Sequence, residues 1–66
     1  MLKVIINGED KRVSPGSVAD MVRALGFQPE KLAVERNREI VPRSMLGEVM
    51  VADGDMFEIV HFVGGG

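Results

Sequence analysis

The stretch Ser17-Val18-Ala19-Asp20-Met21-Val22-Arg23-Ala24-Leu25-Gly26 decides the fold, because it is the one strongly helical segment between two groups of strand-like runs. Its apolar residues Val18, Met21, Val22 and Leu25 recur at i, i+3, i+4 and i+7, which makes one stripe along a helix. Ser17 has a side-chain oxygen to cap that helix, and Asp20 stands three residues on, as in a reciprocal capping box. Gly26 supplies the left-handed stop. The pattern predicts a helix that starts at Val18 and lays a single apolar face on a sheet.

Towards the N-terminus, Leu2-Lys3-Val4-Ile5-Ile6 is a β-branched run followed by Asn7-Gly8, a strong hairpin signal, with Lys11-Arg12-Val13 as the returning strand. Towards the C-terminus, Pro29-Glu30-Lys31 precedes a strand at Leu32-Ala33-Val34-Glu35-Arg36, which turns at Asn37-Arg38 into Glu39-Ile40-Val41. Pro42 ends that strand, since it has no amide to donate to a ladder. A single helical turn is expected around Ser44-Met45-Leu46, then a short extended piece. Asp53-Gly54-Asp55 reads as a plain tight turn into the last strand. The order ββαβ(β)β predicts an α+β fold in which one main helix packs on one face of a mixed sheet.

In the final strand, Phe57-Glu58-Ile59-Val60-His61-Phe62-Val63, alternation directs Phe57 and Ile59 to the helix. Val60 and Phe62 then fall on the open face, beside Ile5 of the first strand, where an apolar group makes them candidate partner-docking residues. Gly64-Gly65-Gly66 follows directly. A glycine tail has no Cβ and reaches backbone conformations closed to other residues, so it fits extended into a slot too narrow for any side chain. The organisation expected is one domain over residues 1–63 and a flexible, extended tail over 64–66, with the carboxylate of Gly66 as the working group.

Composition narrows the chemistry. A chain of 66 residues buries only about 60% of the surface its unfolded form exposes, which leaves little room for a deep catalytic cleft. It is 45% hydrophobic and 27% charged with a net charge of −2, as a globular protein is, and has no basic field to attract nucleic acid. No apolar run is long enough to enter a membrane or act as a signal peptide, so a cytoplasmic location is expected. The absence of cysteine removes disulfides, thiolate metal sites and a thiol nucleophile.

With one histidine and no tyrosine, an acid–base pair would have to come from scattered carboxylates and lysines, which argues against an autonomous enzyme. His61 has no matching catalytic constellation and reads as structural or surface. Asp53 and Asp55 lack the further oxygens of a calcium loop. Glu35-Arg36-Asn37-Arg38-Glu39 balances its signs, as a solvated hairpin tip does. No glycine spacing makes a phosphate loop. No catalytic, metal or cofactor site is expected on this chain.

The residues resemble the ThiS family, the sulfur carriers of thiazole biosynthesis, with the ubiquitin-like β-grasp fold. The resemblance runs the whole chain through Ile6-Asn7-Gly8-Glu9, Val18-Ala19-Asp20-Met21-Val22, Ala33-Val34-Glu35-Arg36-Asn37, Ile40-Val41-Pro42-Arg43, Asp53-Gly54-Asp55 and the terminal glycines. It implies that a ThiF-like adenylyltransferase uses ATP and Mg²⁺ to adenylate Gly66, and that sulfur from a cysteine desulfurase replaces the AMP. The resulting thiocarboxylate would serve a ThiG-like thiazole synthase making the thiazole of thiamin. Gly65 is the slender residue behind Gly66, and Gly64 extends the reach. Arg43 follows a proline turn and reads as solvated. The Asp-Gly-Asp turn and glycine tail are shared with the small subunit of molybdopterin synthase, MoaD, which stands as an alternative beside a ubiquitin-like modifier or binding module.

Overall fold

The computed structural model describes residues 1–62. These form β1 (Leu2–Ile6), β2 (Glu9–Val13), α1 (Val18–Ala24), a 3₁₀ turn (Pro29–Lys31), β3 (Leu32–Arg36), β4 (Glu39–Val41), a second 3₁₀ turn (Arg43–Met45) and β5 (Met56–His61). Val63 and the expected tail 64–66 lie outside the described residues.

The strands make one sheet in the order β2-β1-β5-β3-β4. The pairs β1–β2, β3–β4 and β3–β5 are antiparallel and β1–β5 is parallel, so the sheet is mixed as expected. The last strand therefore occupies the centre, gripped on both sides. Both hairpins turn through paired left-handed residues, Asn7 and Gly8 (φ 50° and 82°) and Asn37 and Arg38 (φ 52° and 72°). Two consecutive positive φ angles give the twist that two antiparallel strands need.

The helix is specified locally at both ends. Asp20 N–H donates to Ser17 Oγ (3.0 Å) while Ser17 N–H donates back to the Asp20 carboxylate (3.3 Å), the predicted capping box. The other first-turn amides are claimed by the irregular segment after β4: Val18 N–H donates to Val49 O (2.9 Å) and Ala19 N–H to Leu46 O (2.8 Å). That segment runs on as an extended piece, with Met50 bridging Ser17. It thus serves helix donors that would otherwise have no partner. At the far end Gly26 (φ 92°) lets Phe27 N–H reach Val22 O and its own N–H reach Arg23 O, closing a Schellman turn.

Val18, Ala19, Met21 and Val22 of α1 meet Val4, Ile6, Val13, Leu32, Val34, Val41 and Phe57 from the sheet, with Leu46 and Val51 at the side. Phe57 is fully buried, and Ile59 packs against this core as alternation predicts. No helix among the described residues is long and apolar enough to cross a membrane.

Candidate functional site

The site is the point where β5 leaves the sheet. On one side β3 accompanies β5 along its length, from Arg36 opposite Phe57 to Leu32 opposite His61. On the other side β1 pairs only with Met56 and Phe57 before it turns away. Asn7, the first turn residue, takes over there. Its N–H donates to Phe57 O (2.9 Å), its side-chain oxygen accepts Ile59 N–H (2.7 Å), and its side-chain amide donates to Ile59 O (3.2 Å). One side chain thus extends the ladder by a residue pair beyond the end of its strand.

Past His61, the Phe62 N–H donates to Lys31 O (2.9 Å), which ties the last described residue to the turn before β3. The guanidinium of Arg43 lies over the Phe62 ring, 5.6 Å from its centre, and also reaches Leu32 O at 3.5 Å. A cation over an aromatic face at this distance is held by the ring quadrupole. Arg43 is exposed, as expected for a solvated arginine, and its side chain also bridges the turn after β4 to the exit of β5. His61 packs a tilted ring against Phe27, 5.8 Å between centroids, in keeping with a structural role.

Val60 and Phe62 are 59% and 51% exposed. The predicted neighbour Ile5 is a correction, since the parallel register sets it opposite Met56, four residues before Val60. Alternation placed Ile5 on the correct face, but register depends on where β1 begins to pair, which a single strand does not encode. Phe62 follows the last residue of β5 and is positioned by Arg43 and Lys31 rather than by alternation.

The strand is also fixed at its entry. Asp55 is buried at 5% exposure, and its carboxylate accepts from Arg36 Nε (2.8 Å), Ala52 N–H (2.8 Å) and the Asn37 side-chain amide (3.0 Å). Burial by itself raises this carboxyl's pKa. The bonds from Arg36, Ala52 and Asn37, with the Arg36 charge, outweigh burial and hold it below the usual value of 3.8. One expectation is corrected by this, since Asp53-Gly54-Asp55 is more than a plain turn; the hairpin tip is solvated as expected at Glu35, Asn37, Arg38 and Glu39, with Arg36 partly buried against Asp55. Asn37 also accepts Met56 N–H through its side-chain oxygen (2.9 Å), and Asp53 accepts Lys3 N–H (2.8 Å). An acid repeated around a turn glycine was the available signal, but nothing local shows which of the two is buried.

No group of three or more potential metal-ligating side chains occurs among the described residues. The candidate carboxylate-bearing Gly66, with Gly65 and Gly64, lies outside them.

A family model described as the ThiS family matches residues 4–66. The chain is 38% identical over 63 residues to the sulfur carrier protein ThiS of Bacillus subtilis, covering 92% of this chain and 96% of that one. It is 48% identical over 66 residues to a thiazole synthase of Paramagnetospirillum magneticum, covering 98% of this chain. The chain spans 20% of the length of the thiazole synthases it matches. The crystal structure of a thiamine biosynthesis protein (ThiS) from Geobacter metallireducens superposes with a TM-score of 0.82 at 32% identity, over 98% of this chain and 100% of that one.

Proposed function

The chain belongs to the ThiS family, and we propose that it is a protein substrate, a sulfur carrier that delivers sulfur for the thiazole of thiamin as a thiocarboxylate on Gly66. The family match running from residue 4 through residue 66 carries this reading, because it takes in the glycines together with the sheet that presents them. A carboxylate is a poor electrophile. A ThiF-like partner, using ATP and Mg²⁺, would join the Gly66 carboxylate oxygen to the α-phosphorus of ATP, release pyrophosphate and so create an acyl-adenylate. The outer sulfur of a persulfide generated by a cysteine desulfurase would then bond to the carbonyl carbon as AMP leaves, and a thiol such as free cysteine would supply the two electrons that cleave the resulting acyl disulfide to the thiocarboxylate. With no cysteine in the chain, the terminal carboxyl carbon is where it can hold sulfur covalently.

The structure's contribution under this reading is mechanical. β5 lies in the middle of the sheet and is secured at its entry by Asp55 and near its exit by Asn7, Lys31 and Arg43. A partner that pulls Gly64, Gly65 and Gly66 into its site therefore pulls on a fixed strand. The glycines pass through a narrow slot without side chains to obstruct them. Val60 and Phe62, exposed beside the exit, form part of the surface on which an adenylyltransferase or a ThiG-like thiazole synthase seats.

The matched thiazole synthases contain a stretch similar to this chain within a much longer protein, which supports a thiazole synthase as one recipient of the sulfur. Removal of Gly65-Gly66 tests the proposal. The shortened chain should fold as before and fail to support thiazole formation with purified partners; thiazole formed at the normal rate would refute the tail mechanism.

A further inference from the structure

Residues 26–31 connect α1 to β3, and both ends of this connection touch the exit of β5. At its start, Phe27 lays its ring against His61, the last residue of β5, with 5.8 Å between centroids and 44° between the ring planes. At its end, Lys31 O accepts the N–H of Phe62 (2.9 Å). The connection is itself fixed between these points. Phe27 N–H donates to Val22 O (2.9 Å), Lys31 N–H donates to Gln28 O (2.9 Å), and Pro29 is buried. Phe27 does not fill the interior: it is 39% exposed and stands outside the core that α1 makes with the sheet. What its ring covers is His61.

The register explains why His61 needs such cover. Leu32 of β3 lies opposite it, and because Leu32 is buried in the core, the face they share is the one under α1. On the other side of β5, β1 pairs no further than Phe57, and Asn7 carries the ladder on only to Ile59. Among the described residues, His61 is thus held by a strand on one side alone. A strand end with so few partners opens more easily than the centre of the sheet. Opening here would spread the directions in which the chain leaves the sheet.

We infer that Phe27 is a positioning residue for the sulfur-carrying terminus: its ring holds His61 beside β3 and, through His61, fixes the line along which β5 leaves the sheet. The inference rests on the carrier reading and adds to it a residue that lies outside the sheet. An exit that is ordered before the enzyme arrives lowers the entropy lost on binding, so the benefit falls on capture of the carrier and not on the chemical step. The competing account is a direct contact between the partly exposed Phe27 ring and the enzyme, which would not pass through His61.

The test uses the full chain and a purified ThiF-like adenylyltransferase that converts another sulfur carrier. Phe27→Ala should raise the KM for the carrier roughly three- to tenfold at unchanged kcat, and Phe27→Tyr, which keeps the ring, should restore it. His61→Ala should give a similar rise, and the double variant no further one, since both single changes break the same contact. Hydrogen exchange at the Phe62 amide should quicken in Phe27→Ala beyond any change at Val4 in the core. An unchanged KM for Phe27→Ala would overturn the inference. So would additive effects of Phe27→Ala and His61→Ala, which would make Phe27 a direct contact of the enzyme. Equal acceleration of exchange across the sheet would also overturn it, by making Phe27 a general support of the fold. If the wild-type chain itself were not converted by the active enzyme, the carrier reading would fail and take this inference with it, a result that no Phe27 variant is needed to see.

Discussion

Arg36 Nε lies 2.8 Å from Asp55 Oδ2, and this pair joins the end of β3 to the turn that feeds β5. Asp55 is the more buried partner and also accepts from Ala52 and Asn37. Replacing it by Ala leaves three donors without their acceptor and should cost about 2–4 kcal/mol in urea unfolding. Arg36→Ala leaves two of those donors in place at a partly exposed site and should cost about 1–2 kcal/mol. Equal, negligible effects from both changes would show that the entry of β5 is held by packing alone.

The same carboxylate links stability to pH. Its pKa in the folded protein lies below the ordinary value of 3.8. The corresponding stabilisation is fully present above that ordinary value and is lost as pH falls through the lowered folded value. Unfolding free energy should therefore decline on acidification below about pH 4. In Asp55→Asn the decline over that window should be shallower than in the wild type; an identical slope would exclude Asp55 as its source.

Asn7 extends the β5 ladder with its side chain and does so from a left-handed backbone (φ 50°). Asn7→Ala removes both side-chain bonds to Ile59 and puts alanine in a left-handed conformation that asparagine tolerates better. The expected cost is about 1–3 kcal/mol. Hydrogen exchange at the Ile59 amide should accelerate beyond the global change, whereas a uniform change across the sheet would contradict the local role.

Arg43 offers a separate handle on the exit. Its contact with Phe62 is exposed and worth about 0.5–1 kcal/mol, so Arg43→Ala should barely change global stability. The KM for the carrier in adenylation should rise severalfold, because Phe62 loses its support at the exit of β5. Recovery by Arg43→Lys, which keeps a cation near the ring, separates this positioning effect from a loss of fold.

Much of the fold was legible because its signals are local. The capping box at Ser17 and Asp20, the stop at Gly26 and the turns at Asn7-Gly8 and Asn37-Arg38 each specify their backbone within a few residues. The alternation of Phe57 and Ile59 likewise identifies the core face of β5. The contacts that were not legible are those between residues distant in sequence. Arg36 and Asn37 reach Asp55, and Arg43 reaches the Phe62 ring, only once β5 is folded beside them. Ile5 was placed on its correct face with the wrong neighbour. For the candidate site, the exposure of Val60 was readable, whereas the residues that secure β5 required the tertiary structure.

The central claim is that Gly66 carries sulfur, and intact mass spectrometry tests it most directly. The chain, with and without Gly65-Gly66, would be incubated with ATP, Mg²⁺, a ThiF-like adenylyltransferase, a cysteine desulfurase and cysteine. The account predicts a mass gain equal to one oxygen replaced by sulfur in the full chain and no gain in the shortened one. An unchanged mass for the full chain, with enzymes that convert another sulfur carrier in the same preparation, would contradict it.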